Sequence, residues 1–174
     1  MNEDELRILE ELDIVVHRGP IREQIDSIAL RVERKLTEQH TDVMIWGTVP
    51  LTIYRRQLPA MICSSWIFAI HNPATTGAER HPNSIQRMMS YRGSGNIQVW
   101  NSERWCSNHL NSSPEALLEN RWMSIPENVW HQAVVAKENW VVLSFHTVLE
   151  DELIEERPDS TNVELIQQRR YMDV

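Results

Sequence analysis

The stretch Ala78–Gly95, "AERHPNSIQRMMSYRGSG", decides how the chain is read. Side chains alternate along a strand, so "AERH" as a strand points Glu79 and His81 to one side. "PNS" (Pro82–Ser84) is a turn signal, and a returning strand begins near Ile85. On that strand Gln86, Met88 and Ser90 share a face. The hairpin therefore gathers Glu79, His81 and Gln86 on one face of a sheet. Another histidine, His131, follows a proline-led turn in "IPENVWHQ" and heads a further strand. A carboxylate, an amide oxygen and two imidazoles are a reasonable ligand set for a divalent transition metal.

The surrounding sequence supports strands. From about Asp42 to Leu149 the runs "SSWIFAIH", "IQRMMSYRG", "NIQVW", "NRWMSIP", "HQAVVA" and "NWVVLSFHTV" are rich in β-branched and aromatic residues. Pro, Gly, Asn and Ser clusters separate them. Six or more short strands at close spacing predict a sandwich or barrel. "SSPEALLEN" (Ser112–Asn120) is at most a two-turn helix in a loop, with Ser113 and Pro114 as start signals.

Here the sequence resembles the cupin superfamily, small jelly-roll barrels. The first cupin motif has two histidines one residue apart, then a glutamate, then a glycine. "E-R-H-P-N-S-I-Q-R-M-M-S-Y-R-G" has that spacing, ending at Gly93, with Glu79 for the first histidine and Gln86 for the glutamate. The second motif is matched by "P-E-N-V-W-H", with Asn128 where glycine is usual. Asn tolerates positive φ better than most residues. The asparagine expected four residues after the histidine is Val135 here.

The resemblance implies a mainly β, cupin-type double-stranded β-helix barrel with Glu79, His81, Gln86 and His131 at the metal positions. The formal ligand charge stays at −1, because one neutral-for-acid exchange offsets the other. Two histidines and one carboxylate is the composition of non-haem Fe(II) oxygenase sites. Fe(II) is thus the first expectation, with Mn, Ni, Zn or Cu as other metals for such a set. The implied activity is that of a dioxygenase-like oxidoreductase on a small organic molecule. The rivals are a non-catalytic small-molecule-binding or sensory cupin, and a metal-dependent lyase, isomerase or decarboxylase. His146 shares a strand face with Trp140, Val142 and Ser144 and is the candidate acid–base residue. Met88, on the face of Gln86, and Trp130, next to His131, are candidate substrate walls.

Both ends of the chain lie outside the resemblance. "DELRILEELDIVV" reads as an opening helix. In "GPIREQIDSIALRVERKLTEQ", Pro20 suits a first helical turn, and Ile21, Ile25, Ile28, Val32 and Leu36 mark one face. Residues 1–40 are thus expected as a helical arm packing on the barrel or in a dimer interface, and residues 41–155 as the barrel. Residues 156–174 are expected as a tail or a short helix, with Thr161 and Glu164 as a capping box.

The 174 residues suit one domain with an added arm. A net charge of −8 provides no basic face for nucleic acid and disfavours anionic membranes. Cys63 and Cys106 form no disulfide framework or zinc motif and read as small hydrophobes. The acidic N-terminus is unlike a secretory signal, and no apolar run approaches a membrane span. The expectation is a cytoplasmic protein, homodimeric through its sheet edges.

Overall fold

The fold was obtained as a computed structural model that describes residues 2–39, 42–159 and 165–172. Two helices, α1 (Glu3–Val16) and α2 (Gly19–Glu38), precede the strands. Asn2 caps α1 by accepting from the Glu5 N–H at 2.8 Å. Pro20 lies in the first turn of α2, where its missing N–H costs nothing. The strands are β1 (Met44–Thr48), β2 (Ser64–Ile70), β3 (Ala74–Thr75), β4 (Gln86–Arg92), β5 (Ser94–Trp100) and β6 (Trp105–Asn111). They continue with β7 (Trp122–Ile125), β8 (His131–Val135), β9 (Trp140–His146), β10 (Ile154–Pro158) and β11 (Ile166–Arg170). Between Ser112 and Asn120 the only helical turn is 3-10, at Leu118–Asn120.

One antiparallel sheet runs β1-β2-β9-β4-β7, and a second runs β3-β8-β5-β6. Together they form the jelly-roll barrel that the motifs imply. Its interior holds Trp66, Phe68, Met88, Ile97, Trp140 and Val142 in one apolar cluster. The other face of the five-stranded sheet presents Ile67, Ala69, Met89, Val141, Leu143 and Phe145. This face packs against Leu9, Leu12, Ile21, Ile25, Val32 and Leu36 of the two helices. The striped face of α2 is therefore buried on the barrel of its own chain.

Ion pairs fix α1 to the sheet. Asp13 takes two hydrogen bonds from Arg121, at 2.6 and 2.8 Å, and a third from Trp122 Nε1 at 2.7 Å. Asp13→Ala would leave a largely buried guanidinium and a buried indole N–H without their acceptor. We expect a loss of about 3 kcal/mol in denaturant unfolding.

Arg87, almost wholly buried, donates to both Glu5 oxygens at 2.7 and 2.9 Å. Burial opposes the charged form of Glu5, but the Arg87 and Ser124 hydrogen bonds outweigh it and lower the carboxyl below its usual 4.5. A lowered folded pKa adds stability above the unfolded value, and this is lost as pH falls through the folded one. Glu5→Gln should therefore be less stable than wild type at neutral pH. The difference should shrink below pH 4.5, as urea titrations across pH would show.

The expectation for the C-terminus fails. In place of a tail or short helix after residue 156, β10 and β11 pair as an antiparallel two-stranded ribbon, Ile154 opposite Arg170 and Pro158 opposite Ile166. The proposed capping box at Thr161 and Glu164 lies outside the described residues. The alternation in "IEERP" and "IQQRR" is too polar to stand out as strand, because β11 is exposed along its length. Strand β6, "WCSNHLN", escaped notice for the same reason. No described helix is long and apolar enough to cross a membrane.

Candidate metal centre

The site lies at one end of the barrel. Glu79 and His131 sit opposite each other in an isolated antiparallel bridge, with N–H···O bonds of 2.9 and 2.8 Å. Asn128 adopts the positive φ (62°) of the motif position usually held by glycine, and its N–H donates to the His81 carbonyl at 3.0 Å. Gln86 opens β4, opposite His146 on β9. The turn after "AERH" thus returns the chain as the alternation requires. One ligating atom from each of Glu79, His81 and His131 lies within 4.8 Å of the others.

The two imidazoles are held in matching tautomers. A carbonyl can only accept, so Nδ1 of His81 donates to the Ile154 carbonyl at 2.9 Å and Nδ1 of His131 to that of Val129 at 3.0 Å. Each Nε2 therefore carries a lone pair. Burial lowers the pKa of both. His131, with His81 nearby as well, falls to about 3. Neither needs to lose a proton at neutral pH before acting as a ligand.

Two side-chain acceptors at the site are buried without a hydrogen-bond partner, His131 Nε2 and Gln86 Oε1. His131 Nε2 faces Glu79 Oε1 at 3.6 Å, too far for a hydrogen bond. Acceptors turned toward one another in a dry site are costly, and a cation among them would satisfy them. This donor set fits a divalent transition metal.

The amide of Gln86 is oriented by a chain of bonds running one way. Its Nε2 donates to Ser144 Oγ at 3.1 Å, Ser144 pairs with His146 Nε2 at 3.2 Å, and His146 Nδ1 pairs with Ser84 Oγ at 3.2 Å. Ser84 in turn donates to the Ile85 carbonyl at 3.2 Å. The chain leaves Gln86 Oε1 for the cavity. His146 is wholly buried, and burial with its two neighbouring histidines holds its pKa well below the usual value. Both its ring nitrogens are engaged by hydroxyls, and through Ser144 it orients the Gln86 amide.

Glu79 is held from the far side by residues that sequence reasoning missed. Its Oε2 accepts from Arg157, which also donates to Glu155 at 2.8 Å and to the Thr76 carbonyl at 3.0 Å. Arg169 donates to the other Glu155 oxygen. Burial raises the Glu79 carboxyl above its usual range against the pull of Arg157, the neighbouring Glu155 adds to the rise, and a bound cation would displace the proton this favours. Burial also opposes the charge on Glu155, but the hydrogen bonds it shares with Glu79, Arg157 and Arg169 outweigh this and lower its carboxyl below the usual range. These charges come from "IEERP" and "QQRRY", which look solvated in the sequence. Only the β10–β11 ribbon brings them to the site.

Met88 lines the cavity with Phe68, Ile97 and Val142, as its strand face suggested. Trp130 does not. It is half-buried under the Arg80 guanidinium, 4.7 Å from the ring centroid, and is not among the cavity-lining residues. Adjacent residues of a strand face opposite ways, so with His131 directed inward, Trp130 is directed outward.

Two antiparallel sheets closed into a jelly roll, with the two motifs meeting at one end, define a cupin fold. Comparison with solved structures agrees. An 11S globulin from Wrightia tinctoria, described as revealing an auxin binding site, is 16% identical, with a TM-score of 0.52 over 71% of this chain and 29% of that one. An oxalate oxidase in complex with the substrate analogue glycolate is 12% identical, with a TM-score of 0.47 over 61% of this chain and 51% of that one. Pumpkin seed globulin is 18% identical, with a TM-score of 0.49 over 66% and 28%. The chain thus spans about half the length of the oxalate oxidase and under a third of the globulins. No protein-family model and no curated protein matches the sequence. The likeness is one of fold.

Proposed function

We propose that the protein is a metal-dependent cupin enzyme that oxidises a small organic molecule. Glu79, His81 and His131 hold one divalent transition metal, Fe(II) in the first place, and Gln86 is a weaker fourth ligand. The observation that carries this reading is the pair of buried, unpartnered acceptors, His131 Nε2 and Gln86 Oε1, beside Glu79 and His81. When bound, such a metal supplies Lewis acidity and redox chemistry. The chain's own residues prepare the site. The Ile154 and Val129 carbonyls fix both imidazoles with Nε2 inward, and Arg157 holds one oxygen of Glu79 while the other faces the cavity. Phe68, Met88, Ile97 and Val142 keep bulk water from the inner wall. Anaerobic purification, Fe(II) reconstitution and elemental analysis test the proposal. About one metal per chain is expected, and a chain that stays metal-free refutes it.

A second reading, a small-molecule-binding protein without turnover, draws on the apolar lining of the cavity by Phe68, Met88, Ile97 and Val142. At about 30 Å³ the cavity has room for little more than a water, so on either reading it must open to admit an organic molecule. That reading predicts ligand binding by metal-free protein, undiminished by Glu79→Gln.

A further inference from the structure

A single side chain fills an aromatic cage beside His81. Strand β11 touches the barrel mainly through Tyr171, the residue that follows it. Ile166–Arg170 are all exposed, yet Tyr171 is only 3% exposed. Its ring enters a cage of four others, with centroids 5.4 Å from Trp46, 5.4 Å from Trp66, 6.1 Å from Phe68 and 6.2 Å from His81. His81 is one of the candidate metal ligands. All four rings of the cage contact Tyr171 at tilted or edge-on angles, the preferred geometry for aromatic pairs. The cage would stand whole without its occupant, because its rings come from β1, β2 and the "AERH" segment.

The support behind Tyr171 is slight. Among the described residues β11 pairs only with β10, in a sheet of two strands, and such ribbons are marginal alone. Besides the ladder, the described residues tie it by the Tyr171 N–H to the Leu153 carbonyl at 2.8 Å, by Arg169 to Glu155, by Gln168 to Glu156 at 3.0 Å and by Gln167 to Asp159 at 2.6 Å. The last two bonds are solvent-exposed. β10 is held independently, through the Arg80–Glu156 bridge and the His81–Ile154 bond. The β11 arm can therefore leave with both imidazoles still held, while its Arg169 releases Glu155 behind Glu79. Segments with few buried contacts open at low cost.

We propose that the Trp46–Trp66–Phe68–His81 cage is the substrate subsite, that it takes a phenol-sized aromatic ring, and that Tyr171 is its built-in occupant. Calling the ring a substrate rests on the metal-enzyme reading; the cage and its exchange of occupants do not. Tyr171 acts as a tethered competitor, so a free ligand must displace the arm to enter.

The probe is 4-methylphenol, the tyrosine side chain as a free molecule, used on metal-free full-length protein. With wild type, saturating probe should speed amide exchange in residues 165–172 by roughly tenfold and leave β2 and β9 unchanged. Tyr171→Ala should bind the probe about tenfold or more tighter than wild type, because the competitor is gone, and Tyr171→Phe should behave as wild type. Unchanged exchange in the wild-type arm overturns the proposal, even if Tyr171→Ala binds the probe, since any emptied cavity can do that. Should Tyr171→Ala fail to fold, the wild-type exchange measurement decides alone. Metal content is measured on a separate sample, so failure of the cage and failure of the metal site are read apart.

Discussion

His131→Ala should lose its metal. Wild-type protein reconstituted with Fe(II) should retain about one ion per chain, and the variant should retain almost none under the same wash. Partners that merely orient a ligand are commonly worth 10–100-fold in metal affinity. Deleting a ligand should cost roughly 100-fold or more. Gln86→Ala should cost less, because an amide oxygen is a weak, neutral ligand. Trp130→Ala should cost nothing, since that ring packs beneath Arg80 outside the cavity. Thermal melts with and without metal give a second reading. Fe(II) should raise the wild-type Tm, because it binds only the folded state, and leave the His131→Ala Tm where chelator puts it.

The second large effect concerns Gly95 on β5. A Cβ built there would lie 2.1 Å from Cε3 of Trp140 and 2.5 Å from two further atoms of that indole. Trp140 cannot easily give way. It is fully buried, and its Nε1 donates to Ser90 Oγ at 2.8 Å. Gly95→Ala should therefore cost about 3 kcal/mol, the upper end of what overpacking usually costs. For a chain of this size that is a fall in Tm of roughly 6–12 °C. Adding Trp140→Phe, which shrinks the ring, should recover part of the loss. Equal melting of the single and double variants would show that the clash is not the cause. Gly93 is constrained differently: its φ of +77° and a Cβ position 2.7 Å from the Asn139 carbonyl explain why the motif ends on glycine.

The candidate ligand positions are legible because two simple rules coincide at them. Period-two alternation placed Glu79 with His81 and Gln86 with Met88, and the spacing of two motifs tied both pairs to His131. The same alternation, applied to Trp130, would have excluded it from the cavity wall. His146 was read onto the correct inner face, but sequence does not show that Ser84 and Ser144 engage both its nitrogens. The acids and arginines behind Glu79 were illegible for a different reason. Glu155, Arg157 and Arg169 lie in charged runs whose ordinary fate is solvation, and only long-range pairing turns them inward. Tyr171, in "QQRRYMDV", gives no periodic signal because Gln167–Arg170 before it and Met172 after it are exposed.

The five-stranded sheet carries apolar side chains on both faces, and β2 and β9 are buried along their whole length. Each of these strands belongs at once to the packing beneath the helices and to the packing within the barrel. Neither layer can come apart without uncovering a wall of the other. Helical ellipticity and tryptophan emission should therefore change at one denaturant midpoint with a single slope, so that the two layers unfold as one cooperative unit.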